Sequence, residues 1–226
     1  ALGDVSTAVS SQAGGSALSG IRITSSWIAS ATHQSLVVLS AEGTVAESVT
    51  ALPGLFTGIS EPIKLVVQDH RLWIEGQETG QVRWGRLIDL DWPDSAIKTT
   101  LEPTVARLDK SGCRVSFNAS LATETLKRGE AVRGRDSDYS ISVEGYDVVV
   151  VGTGANAYRG TFPAEVIGAG DDNFDPIGIT PDRLGQMIDI CSRRSPKVGM
   201  VFGKPIDPIV IESDDITALV MPVRIK

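Results

Sequence analysis

Residues 180 to 195 read TPDRLGQMIDICSRRS. This stretch predicts a helix with its start signals in place. Thr180 is a side chain that can accept a bond from an orphan N–H at a helix entrance. Pro181 fits the first helical position, where its missing N–H costs nothing. Asp182 lies in the first turn, at the positive end of the helix dipole. Leu184, Met187, Ile188 and Cys191 recur at helical spacing and form one apolar stripe.

Working outward, KVGMVFGKPIDPIVIESDDITALVMPVRI alternates and predicts three strands to the end of the chain. On the other side, ASLATETLKRGEAVR (119 to 133) predicts a helix with Leu121, Thr125 and Leu126 facing inward. DYSISVEGYDVVVVGTGANAYRGTFPAEVIG then predicts three more strands. The first half has a similar order. DVSTAVSSQAGG predicts a short helix with Val5, Ala8 and Val9 on one face, ended by Gly14 and Gly15. GIRITSSWIAS, SLVVLSAEG and TVAESVTAL are strand-like, and ALPGLFTGIS (51 to 60) is a short apolar helical turn. PIKLVVQDHRLWIEGQETGQVRWGRL predicts a meander that turns at Gln68 to His70 and again near Gly76 to Gly80. Residues 91 to 112 hold two prolines and little periodicity, which predicts a connector. The order helix, strands, helix, strands thus occurs twice. It predicts two domains, 1–95 and 113–226, joined by 96–112 and related in pattern by internal duplication.

The 226 residues carry a net charge of −7, with 42% hydrophobic and 22% charged side chains. The mean hydropathy is +0.06 and the pI about 4.9. This is an ordinary globular composition. No run approaches the ~20 apolar residues of a membrane helix. The opening ALGDVSTAVSSQ lacks a secretory layout, and it lacks an initiator Met, so an earlier start is left open. Cys113 and Cys191 have no metal spacing and read as free buried thiols of a reducing cytoplasm.

Chemistry is hard to place on this chain. GTGANAYRG (152 to 160) lacks the third glycine and the following helix of a dinucleotide loop, so it reads as a β-turn. His33 and His70 are too few for a zinc site or a triad. There is no phosphate loop and no paired carboxylate, which predicts a protein that is not an enzyme and needs no cofactor or metal. The bases do cluster. Lys127, Arg128, Arg133 and Arg135 lie on or just after one predicted helix, and Arg183, Arg193, Arg194 and Lys197 on or just after the other. By periodicity alone these are ordinary solvated helix faces.

Several stretches resemble DNA polymerase sliding clamps of the bacterial type. LVMPVRI (219 to 225) resembles their Met-Pro-Met-Arg-Leu-like terminal strand. DPIGITPDRLGQMIDICSR is similar to the strand and second helix of their last domain, and KVGMVFGKPIDPIVIES to the strands that follow. SGIRITSSWIASATHQSLVV and RWGRLIDLDWPD resemble parts of the middle domain. The resemblance departs at Thr32-His33-Gln34-Ser35, where clamps carry turn acids and an arginine. It also departs in the first-half helices, which carry no base.

The resemblance implies an α+β DNA clamp fold of two similar domains, each with two helices packed on antiparallel β-sheets. It implies a processivity factor: a homotrimeric ring, as in two-domain clamps, that encircles double-stranded DNA and partners a clamp loader. Lys127, Arg128, Arg133, Arg193, Arg194 and Lys197 would then meet phosphates without reading bases. Val220, Met221, Pro222, Val223 and Arg224 would edge a pocket for linear peptides of DNA polymerase and other clamp-binding-motif proteins, with Thr32, His33 and Leu36 as the opposite wall. The setting implied is a bacterial cytoplasm and a phage or similar element. Three alternatives stand beside it: a clamp-like peptide-binding adaptor that does not encircle DNA, a β-rich enzyme, and a truncated three-domain clamp.

Overall fold

A computed structural model describes residues 20–32, 34–41, 45–89, 92, 94–134, 138–154, 156–167 and 175–225. The predicted helix at the start of the chain lies outside these residues. The chain divides into two compact units, Ala1–Asp94 and Ser95–Lys226.

In the first unit, strands β1 (Ile21–Ile23), β2 (Trp27–Ala31), β3 (Ser35–Ser40) and β4 (Val49–Ala51) form an antiparallel array in the order β3-β2-β1-β4. Its turns are set by side chains. Thr24 Oγ1 accepts from the amides of Ser26 and Trp27, and Thr32 Oγ1 from those of Gln34 and Ser35. Both threonines mimic a backbone turn with the hydroxyl. The apolar run at 51–60 gives a single 3-10 turn, Pro53–Phe56, which buries Phe56.

Strands β5 (Ile63–Gln68), β6 (Arg71–Gly76) and β7 (Val82–Arg86) form the expected meander. Its first turn uses Asp69 and His70, both at positive φ (52° and 54°). Two such residues match the right-handed twist of the flanking strands. Leu72 and Ile74 enter the core with Ile21, Ile23, Ile28 and Leu39. The unit closes where Arg22 makes a two-pronged ion pair with Asp94 and Trp27 packs on Trp92.

In the second unit the strand order is β12-β9-β10-β11-β8-β13-β14-β15, with every neighbouring pair antiparallel. The strands are β8 (Cys113–Asn118), β9 (Tyr139–Glu144), β10 (Asp147–Gly152), β11 (Tyr158–Ile167), β12 (Ile177–Ile179), β13 (Lys197–Phe202), β14 (Ile209–Ser213) and β15 (Ile216–Val220). Three helices accompany them: α1 (Glu102–Ser111), α2 (Ala119–Val132) and α3 (Pro181–Ser192). Helix α3 starts at the predicted residue, but the Thr180 side chain makes no capping bond; its backbone carbonyl accepts from the Leu184 amide at 3.0 Å. Leu184, Met187, Ile188 and Cys191 are all fully buried. Each such side chain contributes ~1.5–3 kcal/mol by leaving water.

One stretch takes a form that the sequence did not suggest, and one expectation fails. The proline-bearing stretch read as a connector is helical from Asp94 to Ser111, and Pro103 sits in the first turn of α1. A proline there needs no N–H, so it opens a helix rather than breaking one. On α2, Leu121 is 43% exposed. The inward face is instead Ala119, Ala122, Thr125, Leu126 and Gly129. Small residues win because α2 packs closely on α3, β10 and β11. A Cβ at Gly129 would lie 3.1 and 3.2 Å from the rings of Tyr158 and Tyr139. The Tyr139 hydroxyl donates to the Gly129 carbonyl at 2.7 Å, and that of Tyr158 to the Thr125 carbonyl at 2.6 Å.

Candidate functional site

The first candidate surface is the outer side of α2 and α3. Asn118 caps α2 by accepting from the Ser120 amide, which fixes where the helix begins and so where Lys127 and Arg128 project. Lys127 is exposed, beside a groove of about 500 Å³ that Thr123, Leu126, Glu130, Asp182 and Asp189 also line. It makes no ion pair among the described residues.

The other five predicted cations all have acidic neighbours. Arg128 pairs with Glu124, Arg133 with Glu130, and Arg193 with Asp189, each one helical turn away. Arg194 reaches Asp215 at 3.6 Å, and Lys197 reaches Glu165 at 2.9 Å. Three of these acids were visible in the sequence at spacings of three or four residues, the spacing that brings side chains together on a helix. Asp215 and Glu165 come from other strands and turns, and no local signal points to them. All five pairs are at least a third exposed, where an ion pair is worth only ~0–1 kcal/mol. A phosphate can therefore displace the carboxylate at small cost. The surface is a mixed-charge face with one unpaired lysine, not the basic patch expected.

The second candidate surface is the end of the chain. The ladder of β15 stops at Val220, which pairs with Ile209 and is 1% exposed. The predicted terminal strand is therefore shorter than expected, and the side chain of Val220 belongs to the core. Met221 is 42% exposed and Ile225 45%, with Pro222 and Val223 half-buried and Arg224 exposed. Pro222 has no amide to leave unpaired outside the ladder. The Val223 amide donates to the Gly178 carbonyl of β12 at 3.0 Å.

Of the residues expected opposite, Thr32 and Leu36 are half-buried in the first unit and His33 lies outside the described residues. Both cysteines are buried. Burial, with the Glu212 carboxylate as a lesser cause, pushes the Cys191 thiol up to about 12. That thiol stays neutral and inert. No helix among the described residues is long and apolar enough to cross a membrane.

No family model matches the chain, and no curated protein matches it in sequence. Solved structures do match. The DNA polymerase sliding clamp of Pseudomonas aeruginosa superposes with a TM-score of 0.76 at 14% identity, over 99% of this chain and 64% of that one. The sliding clamp of Bacillus subtilis gives 0.76 at 13% identity, over 100% and 61%. The DNA polymerase beta subunit of Streptococcus pyogenes gives 0.77 at 13%, over 99% and 62%. This chain therefore spans less than two thirds of the proteins it matches. It has the α+β fold of DNA polymerase sliding clamps, as the resemblance implied.

Proposed function

We propose that this chain is a DNA polymerase processivity factor that works as a ring around duplex DNA. The observation that carries the reading is the superposition of 99–100% of the chain on sliding clamps. With two units per chain, a six-unit ring takes three copies. Helices α2 and α3 would line its hole, with Lys127 leading the phosphate contacts and Arg128, Arg133, Arg193, Arg194 and Lys197 joining as phosphate displaces their acids. Such contacts carry no sequence information. They need not be strong, because a closed ring leaves DNA only by opening or at an end. No bond is made or broken.

The exposed end of the chain would dock linear peptides of a polymerase and of loader proteins. Met221 is a flexible apolar side chain suited to several partners, and Arg224 is free to meet a peptide carboxylate. Thr32, His33 and Leu36 are proposed peptide contacts by the same resemblance. The setting proposed is a bacterial cytoplasm, with a phage or similar element as the source.

Light scattering tests the ring. A mass of about three times 23.9 kDa, with retention on closed circular duplex and release when the circle is cut, supports it. A monomer that slips from circles overturns it. In that case the adaptor reading leads: a clamp-fold protein that docks peptides and does not encircle DNA. The five ion-paired cations favour this second reading, since their charge is already met.

A further inference from the structure

The β5–β6–β7 sheet has two unlike faces. Leu72 and Ile74 are buried on one. The other carries an aromatic and cationic cluster. Trp73 stands directly opposite Trp84, with ring centroids 5.8 Å apart and planes tilted by 35°. The Arg71 guanidinium lies over the Trp84 ring, 4.6 Å from its centroid. Trp84 is 51% exposed and Val82 57%. Trp73 is half-buried. Large aromatics are costly to leave in water, so the exposed Trp84 and the Val82 beside it mark a candidate interaction surface.

Charge says what kind of partner it fits. Arg71 faces Arg86 directly across the β6–β7 ladder. Like charges directly opposite are destabilising in a sheet, and a bound anion removes that penalty. Strand alternation puts Lys64 on the same face, and Glu75 is the one acid there among the described residues. Three bases against one acid stand out on a chain whose net charge is −7.

We infer that this face binds single-stranded DNA, with bases stacked on the Trp73–Trp84 pair and phosphates held by Arg71, Arg86 and Lys64. Unstacked bases offer the planar surfaces that tryptophan takes, and their backbone supplies the anions. A duplex hides its base faces inside, and an acidic peptide offers few flat groups to stack. Neither the ring nor α2 and α3 are needed for this binding. Only the choice of DNA over RNA rests on the proposed function.

The test is fluorescence anisotropy of a labelled oligothymidylate of about 20 nucleotides with the full chain. Trp84→Ala should weaken binding about tenfold, and Trp84→Phe should restore most of it. Arg71→Gln with Arg86→Gln should weaken it too, and should lower the salt slope by about 1.4 for two lost contacts. Lys110→Gln, an exposed change on α1 outside both proposed DNA-contacting surfaces, should change nothing. Thermal melts check that each variant folds. The inference is overturned if the wild-type chain does not bind the oligomer, or if Trp84→Ala and the double arginine variant both bind as tightly as wild type. Tighter binding of oligouridylate, or capture of a polyglutamate peptide without the oligomer, overturns it equally. A monomeric mass in light scattering would sink the ring and leave this result untouched.

Discussion

The Val223 amide donates to the Gly178 carbonyl at 3.0 Å. This single bond joins the segment after β15 to β12, the strands at the two ends of the second unit's order. The approach is possible because residue 178 has no side chain. A Cβ there would lie 2.0 Å from the Val223 carbonyl oxygen. The tail that presents Met221 and Pro222 is thus held in place by a glycine more than forty residues earlier in the chain.

Gly178→Ala should push the tail off β12. The overlap with backbone cannot be relieved by a rotamer change, so a loss of ~1–3 kcal/mol is expected. Urea unfolding measures it, and binding of a polymerase-derived clamp-binding peptide should weaken in step. Unchanged values in both would mean that the tail is not held here.

Met221→Ala with Pro222→Ala separates surface from core. Both side chains lie outside the ladder, so stability should stay within ~0.5 kcal/mol while peptide binding falls at least about tenfold. Val220→Ala should do the reverse, costing ~2 kcal/mol through a buried cavity. Isothermal titration beside denaturant melts distinguishes the two. A double variant that binds like wild type removes the peptide role from this segment.

Duplex DNA should be more sensitive to Lys127 than to Arg128. Lys127→Ala removes an unpaired charge and should lower the salt slope of duplex binding by about 0.9. Arg128 already faces Glu124, so Arg128→Ala should lower it less. Binding titrations over a range of salt check this, and the opposite ranking would reverse the assignment.

Stability should fall in alkali. The Cys191 thiol sits at about 12 in the fold against an ordinary 9.0. The folded state therefore holds its proton where the unfolded chain has lost it. The stabilisation is complete below about pH 9 and fades as pH rises toward 12. The whole difference is about 4 kcal/mol, and about 2 kcal/mol should be gone by pH 10.5 or so. Tyr139 and Tyr158, both raised chiefly by burial, act in the same direction above their ordinary 10.0. Urea unfolding at a series of pH values measures the slope, and Cys191→Ala should flatten part of it. A stability that holds level across this range would contradict the burial of the thiol.

Local features were legible in the sequence. The Pro181–Asp182 first turn of α3, its apolar stripe, the meander and its Asp69–His70 turn all depend on neighbours within a few residues, where backbone geometry and strand or helix period act directly. The clamp resemblance was carried by the same kinds of stretch. Where the sequence misled, a distant contact decided. Leu121 satisfies the helical period as well as Leu126 does, yet α3 and the sheet lie against the face of Ala122 and Gly129. Pro103 looked like a breaker and became part of a first turn.

The bases of α2 and α3 could be counted from the chain, but their net effect could not. Glu165 meets Lys197 only because β11 and β13 both flank β8. Asp215 reaches Arg194 only across the β14–β15 turn. Likewise, the β6–β7 register sets the Trp73 ring against that of Trp84 and brings Arg71 over the Trp84 face. Period and capping are written in adjacent residues. Ion pairing, the held tail and the aromatic face come from residues that the fold brings together across the chain, and only the tertiary structure decides which ones meet.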